Sequence, residues 1–124
     1  DMFEVMKIAA LLPKGVGKNP TLVPAEKALQ MATIEGAKAL LWEEKIGSIE
    51  VGKDADLAII DFRKPHLQPV YNEISHMVYS AKAADVDTVL VKGKIIMENR
   101  KITTVNVDNV LRMAEKTRER LLNA

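Results

Sequence analysis

Apolar and polar positions along this chain change period twice, from helical to extended and back to helical. Over residues 1–12, Met2, Phe3, Val5, Met6, Ala9 and Ala10 recur at helical spacing, while Glu4 and Lys7 mark the opposite side. This predicts an amphipathic helix whose broad apolar face needs a partner. Nothing precedes it that reads as a cap, so the helix is expected to begin uncapped and in mid-element. Pro13, Gly15 and Gly17 then predict a loop through Pro20. Pro24 suits the first turn of a second helix ending near Met31, and Glu26 sits at the positive end of its dipole. Ala28, Leu29 and Ala32 are its expected inward positions. Thr33 is placed to cap a third helix over residues 34–41, in which Gly36, Ala37 and Ala39 permit close packing.

From Trp42 onward the spacing becomes extended. Ile46, Ile49 and Val51 predict one strand, Gly52, Lys53 and Asp54 a turn, and the run 57–60 a buried strand bracketed by Asp56 and Asp61. A stretch punctuated by Pro65 and Pro69 follows, then a short helix over 72–79 with Ile74, Met77 and Val78 on one side. Residues 86–91 alternate, Gly93 turns the chain and 95–97 return, which predicts a hairpin. Gly52 and Gly93 are the turn positions where positive φ is expected. Asn99, Arg100 and Lys101 make a further turn into a short strand at 102–104. Asn106 caps a last helix toward Leu122, with Val107, Val110, Leu111, Ala114 and Leu121 expected to face inward.

Composition narrows the function classes. With 18 basic against 17 acidic residues in 124, the net charge is +1, and no basic field invites nucleic acid. Arg112, Lys116, Arg118 and Arg120 interleave with Glu115 and Glu119, the pattern of a solvated, salt-bridged helix face. The chain has no cysteine, which removes disulfides, thiolate metal sites and Cys nucleophiles together. No apolar run reaches the ~20 residues that span a membrane, and a cytoplasmic location is the expectation. Gly15-Val16-Gly17 lacks the preceding strand of a phosphate loop.

Few side chains suit catalysis. His66 and His76, the only two histidines, fall on different elements without an i, i+4 relation. Both are read as structural: His66 in a loop after Pro65, His76 in an apolar patch beside Met77. Asp54, Asp56 and Asp61 resemble a carboxylate cluster, but an extended strand would hold Asp56 and Asp61 ~17 Å apart. Asp85 and Asp87 share one strand face without a third hard ligand, and are read as edge-strand charges.

The segment Ala32-Thr33-Ile34-Glu35-Gly36-Ala37-Lys38-Ala39-Leu40, together with IGSIEVGKDADLAIID from Ile46 to Asp61, closely resembles the carboxyl-terminal region of the amidohydrolase superfamily. VDTVLVKG, ending at Gly93, resembles that family's closing strand, so the resemblance covers nearly the whole chain. DMFEVMKIAALL at the start and PHLQPVYNEISHMVYSA further on look most like the branch that deaminates 5-methylthioadenosine, S-adenosylhomocysteine and 5'-deoxyadenosine, which includes related chlorohydrolases.

The resemblance implies an α/β fragment. Residues 1–42 would supply carboxyl-terminal helices of a TIM-type (β/α)₈ barrel, and residues 43–124 most of a small composite β domain with a returning helix. In the family a His-x-His pair, a further His and a late barrel Asp hold a divalent metal, zinc or iron. All are implied upstream of Asp1, as are the catalytic Glu and a supporting His. No catalytic, substrate-binding or metal-ligating residue is therefore expected here, and Asp1 does not inherit the metal Asp's role. The implied partners are the missing amino-terminal part of the same protein, its nucleoside substrate and further copies in a homo-oligomer. Without that part, the edges of 57–60 and 86–91 are expected to be unpaired. The alternatives are a self-sufficient α+β binding or oligomerisation module, and a piece of another amidohydrolase such as a chlorohydrolase or a guanine or cytosine deaminase.

Overall fold

The computed structural model describes residues 1–123. Helix α1 (Met2–Gly17) is followed by α2 (Ala25–Ala32) and α3 (Ile34–Ala39). Strand β1 (Leu57–Ile60), a 3₁₀ turn (Pro65–Leu67) and α4 (Glu73–Tyr79) come next. A second 3₁₀ turn (Ala83–Asp85) leads into β2 (Val86–Val91), β3 (Lys94–Glu98), β4 (Lys101–Ile102) and α5 (Val107–Leu122).

Helix α1 extends five residues past the predicted end at Leu12. Proline in a helix interior costs roughly 3 kcal/mol, yet Pro13 lies inside α1. Tertiary anchoring offsets this. The neighbouring Lys14 sends its Nζ to the carbonyls of Ala10 (2.9 Å) and Val23 (2.7 Å) and to the Tyr79 hydroxyl of α4 (3.2 Å). The helix ends at Lys18, in the left-handed region at φ 47°. Its start corrects a second expectation: Asp1 caps it, Oδ1 accepting the Phe3 N–H at 3.0 Å. Thr33 stands at the start of α3 without capping it, because its hydroxyl donates backward to the Leu29 carbonyl at 2.7 Å.

Met6 and Ala10 of α1, Ala25 and Ala28 of α2 and Val78 of α4 form the buried core, with Phe3, Leu29 and Ile74 packed around it. Small residues on α2 let the helices approach closely. Burying a side chain such as Met6 or Val78 contributes roughly 1.5–3 kcal/mol. Asn72 caps α4 through the Ser75 N–H at 2.7 Å, which sets Val78 toward α1 and α2.

The sheet is antiparallel in the order β1-β2-β3-β4. Leu57 pairs with Leu90 and Ile60 with Val86, and Val91 pairs with Lys94 across the hairpin. Gly93 turns that hairpin at φ +74°, and Gly52 has φ +96°, so both glycines occupy the expected left-handed positions. Strand β2 lies inside the sheet, paired on both sides. The expected open edge on 86–91 is thus corrected, while β1 retains a free one.

The strand expected around Ile46, Ile49 and Val51 does not form. Local polar bonds win over extension there. The Lys53 amine donates to Ser48 Oγ at 2.5 Å and Glu50 Oε1 at 3.2 Å, and the Asp54 N–H closes the loop on the Lys45 carbonyl at 2.8 Å. The last strand is also shorter than 102–104, covering Lys101–Ile102. Helix α5 forms at its expected place, Asn106 accepting the Asn109 N–H at 2.9 Å, but none of its residues is buried. Val107, Val110, Leu111, Ala114 and Leu121 face solvent instead of a core.

Candidate functional site

The carboxylates that the sequence singled out fall mainly at two places among the described residues. The first is a half-open cavity of about 360 Å³ between α1, α2 and β1, whose walls include Phe3, Met6, Leu29, Leu57 and Met77. Asp54 and Asp56 are its lining carboxylates. Asp56 is already engaged, its Oδ1 accepting the Lys92 N–H at 2.7 Å and steadying the β2–β3 turn. Asp61, at the far end of β1, accepts from the Arg63 side chain at 2.9 Å and its N–H at 3.0 Å. Those bonds hold its carboxyl below the usual carboxylate range. Asp54 and Asp56 thus share the cavity wall while Asp61 stands apart with Arg63, and the cavity lining contains no imidazole.

The second place centres on Asp85, which corrects its reading as an edge-strand charge. It ends the Ala83–Asp85 turn before β2 and is 2% exposed. The Lys64 amine donates to Oδ1 at 2.9 Å, and His66 Nε2 and the Lys82 N–H donate to Oδ2, each at 2.9 Å. Burial pushes the carboxyl up, but the bonds from His66, Lys64 and Lys82, with the Lys64 charge, outweigh it and hold the group at about 2. A carboxylate so fully occupied by donors is unsuited to bind a cation or act as a base. Asp87, its supposed companion, accepts from the Thr88 hydroxyl at 2.8 Å.

His66 lies in the Pro65–Leu67 turn rather than in an irregular loop. His76 is in α4, its Nδ1–H donating to the Asn72 carbonyl at 2.9 Å and its ring 6.5 Å from that of Phe62. The two histidines therefore serve different partners. Among the described residues, no group of three or more His, Cys, Asp or Glu side chains is placed to hold a metal ion. These residues do not fit a zinc or iron centre. Among them, too, no helix is long and apolar enough to cross a membrane. The Asp85 cluster had little sequence signal, since an acid three residues after Lys82 and just before a strand is commonplace on a surface.

Comparison with known proteins resolves what these pieces belong to. The model of the amidohydrolase family matches residues 1–96. The chain belongs to the amidohydrolase family. Over 122 residues it is 54% identical to a 5-methylthioadenosine/S-adenosylhomocysteine deaminase of Thermoanaerobacter pseudethanolicus, covering 98% of this chain and 28% of that protein. It is 45% identical to a 5'-deoxyadenosine deaminase of Methanosarcina acetivorans, with the same coverage of both proteins. A crystal structure of an adenosine deaminase from Xanthomonas campestris with bound zinc matches 100% of the chain with a TM-score of 0.92 and 34% identity, over 28% of its own length. Atrazine chlorohydrolase from Arthrobacter aurescens shares the fold, with a TM-score of 0.82 at 20% identity. The chain thus spans about 28% of the length of the relatives it matches, as an α/β portion of the amidohydrolase barrel fold.

Proposed function

We propose that this sequence is the carboxyl-terminal structural portion of a metal-dependent hydrolase that deaminates adenine nucleosides modified at the 5' position. The substrates are of the 5-methylthioadenosine, S-adenosylhomocysteine or 5'-deoxyadenosine type. One observation carries the reading: 54% identity across 98% of the chain to a deaminase of which the chain spans only 28%. Residues 1–42 then supply barrel helices and residues 43–124 most of the small β domain. They contribute no catalytic, substrate-binding or metal-ligating side chain, in keeping with the occupied Asp85 and the separated histidines.

The divalent metal, zinc or iron, and the nucleoside are held in the remaining part of the same protein. Zinc in the Xanthomonas relative supports that metal. The same part covers what this chain leaves open: the free edge of β1, the apolar cavity beside it and the apolar face of α5. The assembled protein is read as a cytoplasmic homo-oligomer without nucleic-acid or membrane partners; the net charge of only +1 in this part supports the lack of a nucleic-acid partner.

An ammonia assay with the three nucleosides tests the reading. The whole protein is expected to release ammonia from at least one of them, and the 124-residue chain from none. Elemental analysis of the chain should find no stoichiometric zinc or iron. Turnover by the chain itself with one equivalent of tightly held metal would overturn the proposal, as would a whole protein inert toward all three.

A further inference from the structure

In their principal contacts the elements form two groups: α1 to α4 pack on one another and β1 to β4 pair with one another, with no helix packed broadly across the sheet. Residues 82–85 join the two groups. They lie between α4 and β2, behind the buried Ala81, and side chains from both groups converge on them.

From the helices comes Asp1. Its Oδ1 caps α1 through the Phe3 N–H at 3.0 Å, while Oδ2 accepts the Ala83 N–H, also at 3.0 Å. From the sheet side come Arg100, in the turn between β3 and β4, and Lys64 and His66, in the segment after β1. Arg100 donates from one guanidinium nitrogen to the carbonyls of Ala83 (3.2 Å), Ala84 (2.7 Å) and Val86 (2.9 Å). Lys64 bridges the Ala84 carbonyl at 2.6 Å and the Asp85 carboxylate at 2.9 Å, and His66 takes the other carboxylate oxygen. The Asp61 N–H at the end of β1 donates to the Asp85 carbonyl at 2.8 Å. Arg100 is itself held at φ +61° after Asn99 at φ +47°, a conformation that disfavours non-glycine residues and aims its guanidinium back at the segment.

We propose that the 82–85 segment is a fastener that fixes the helices to the sheet, with Asp85 as its buried anchor and Asp1 as its helix-side arm. Both are positioning residues. Exposed ion pairs contribute little, but Asp85 is buried beneath its donors, and neutralising it weakens its charge-assisted bonds to Lys64, His66 and the Lys82 N–H at once. Loss of the anchor therefore loosens the segment, and with it the grip of Asp1 on Ala83.

Hydrogen exchange followed by mass spectrometry on the whole protein tests this, with a readout independent of catalysis. Asp85→Asn is expected to raise amide exchange about tenfold in residues 2–6 and in 57–62 together. Asp1→Ala should raise exchange in 2–6 and 82–86, and the double variant should add little to the larger single effect, because both act through one segment. Effects confined to one group of elements, or additive in the double variant, would overturn the fastener. Where Asp85→Asn does not fold, Arg100→Lys gives the second reading. It keeps the charge, but its amine lies one bond closer to the backbone than the Arg100 Nη1 that meets the three carbonyls, and exchange should rise about threefold in 2–6 as well as in 82–86; a rise limited to 82–102 would overturn the proposal.

Discussion

Helices α1 and α5 are each 16 residues long, each capped by a side chain and each amphipathic, yet they end in opposite environments. Helix α1 buries Met6 and Ala10 against α2 and α4 and ties itself across the chain through Lys14 and Asp1. Helix α5 buries nothing, and its side-chain bonds stay within its own turns, as between Arg118 and Glu115 at 2.6 Å. An apolar stripe at helical spacing specifies that a face needs cover. It does not specify what covers it. For α1 the cover lies within this chain; for α5 the proposed cover is the remaining part of the same protein.

That contrast can be broken by truncation. In the whole protein Met6→Ala should lower stability by about 3 kcal/mol, since methionine truncation in a packed core costs 2–5 kcal/mol. Leu111→Ala should cost about 2 kcal/mol if α5 is covered as proposed. Denaturant midpoints measure both. A cost below about 0.5 kcal/mol for Leu111→Ala would class it with ordinary surface substitutions and leave α5 a free helix.

The segment that Asp1 of α1 grips, and to which α5 has no counterpart, carries the buried Asp85 and gives a pH-dependent effect. A carboxyl held at about 2 in the folded chain, against 3.8 when unperturbed, stabilises the folded state above the unperturbed value. That contribution is lost as pH falls through about 4 toward 2, and amounts to about 2 kcal/mol. Stability measured from pH 6 down to pH 2 should therefore converge for the natural protein and Asp85→Asn at the acid end. A constant gap between them across that window would mean that another group titrates.

The smallest difference distinguishes two glycines. Gly47 (φ +94°) and Gly52 (φ +96°) share a left-handed backbone, but a Cβ on Gly47 would stand 2.8 Å from the Ala37 Cβ and 2.9 Å from the Ile34 Cα, while one on Gly52 meets open space. Backbone strain of roughly 1–2 kcal/mol burdens alanine at either site. Gly47→Ala should cost about 1 kcal/mol more from overpacking against α3. Equal shifts in melting temperature would show that the loop after Trp42 does not rest on α3.

Much of the element order was legible because it is local. Alternation over Val86–Val91 with Gly93 beyond it, Asn72 before an apolar helical face and Asn106 before another all carry their structure in neighbouring residues. The reading failed where distant partners compete with local preference. Lys14, reaching Val23 and Tyr79, offsets the break expected at Pro13. The Ile46 to Val51 pattern lost to hydrogen bonds made by Lys53 and Asp54. Asp85, read as one of two strand-face acids, became a buried anchor only because Lys64 and His66 arrive from the segment after β1.

By itself, then, the sequence determined the α/β class, the family and most turns and caps, since periodicity, glycine positions and short motifs act over a few residues. Tertiary structure alone decided which apolar faces are covered, which carboxylate is buried and what Asp1 grips besides its own helix. Those outcomes depend on groups up to 82 positions apart meeting in space, and a hydrogen bond or buried contact draws its energy from that meeting rather than from the identity of either residue.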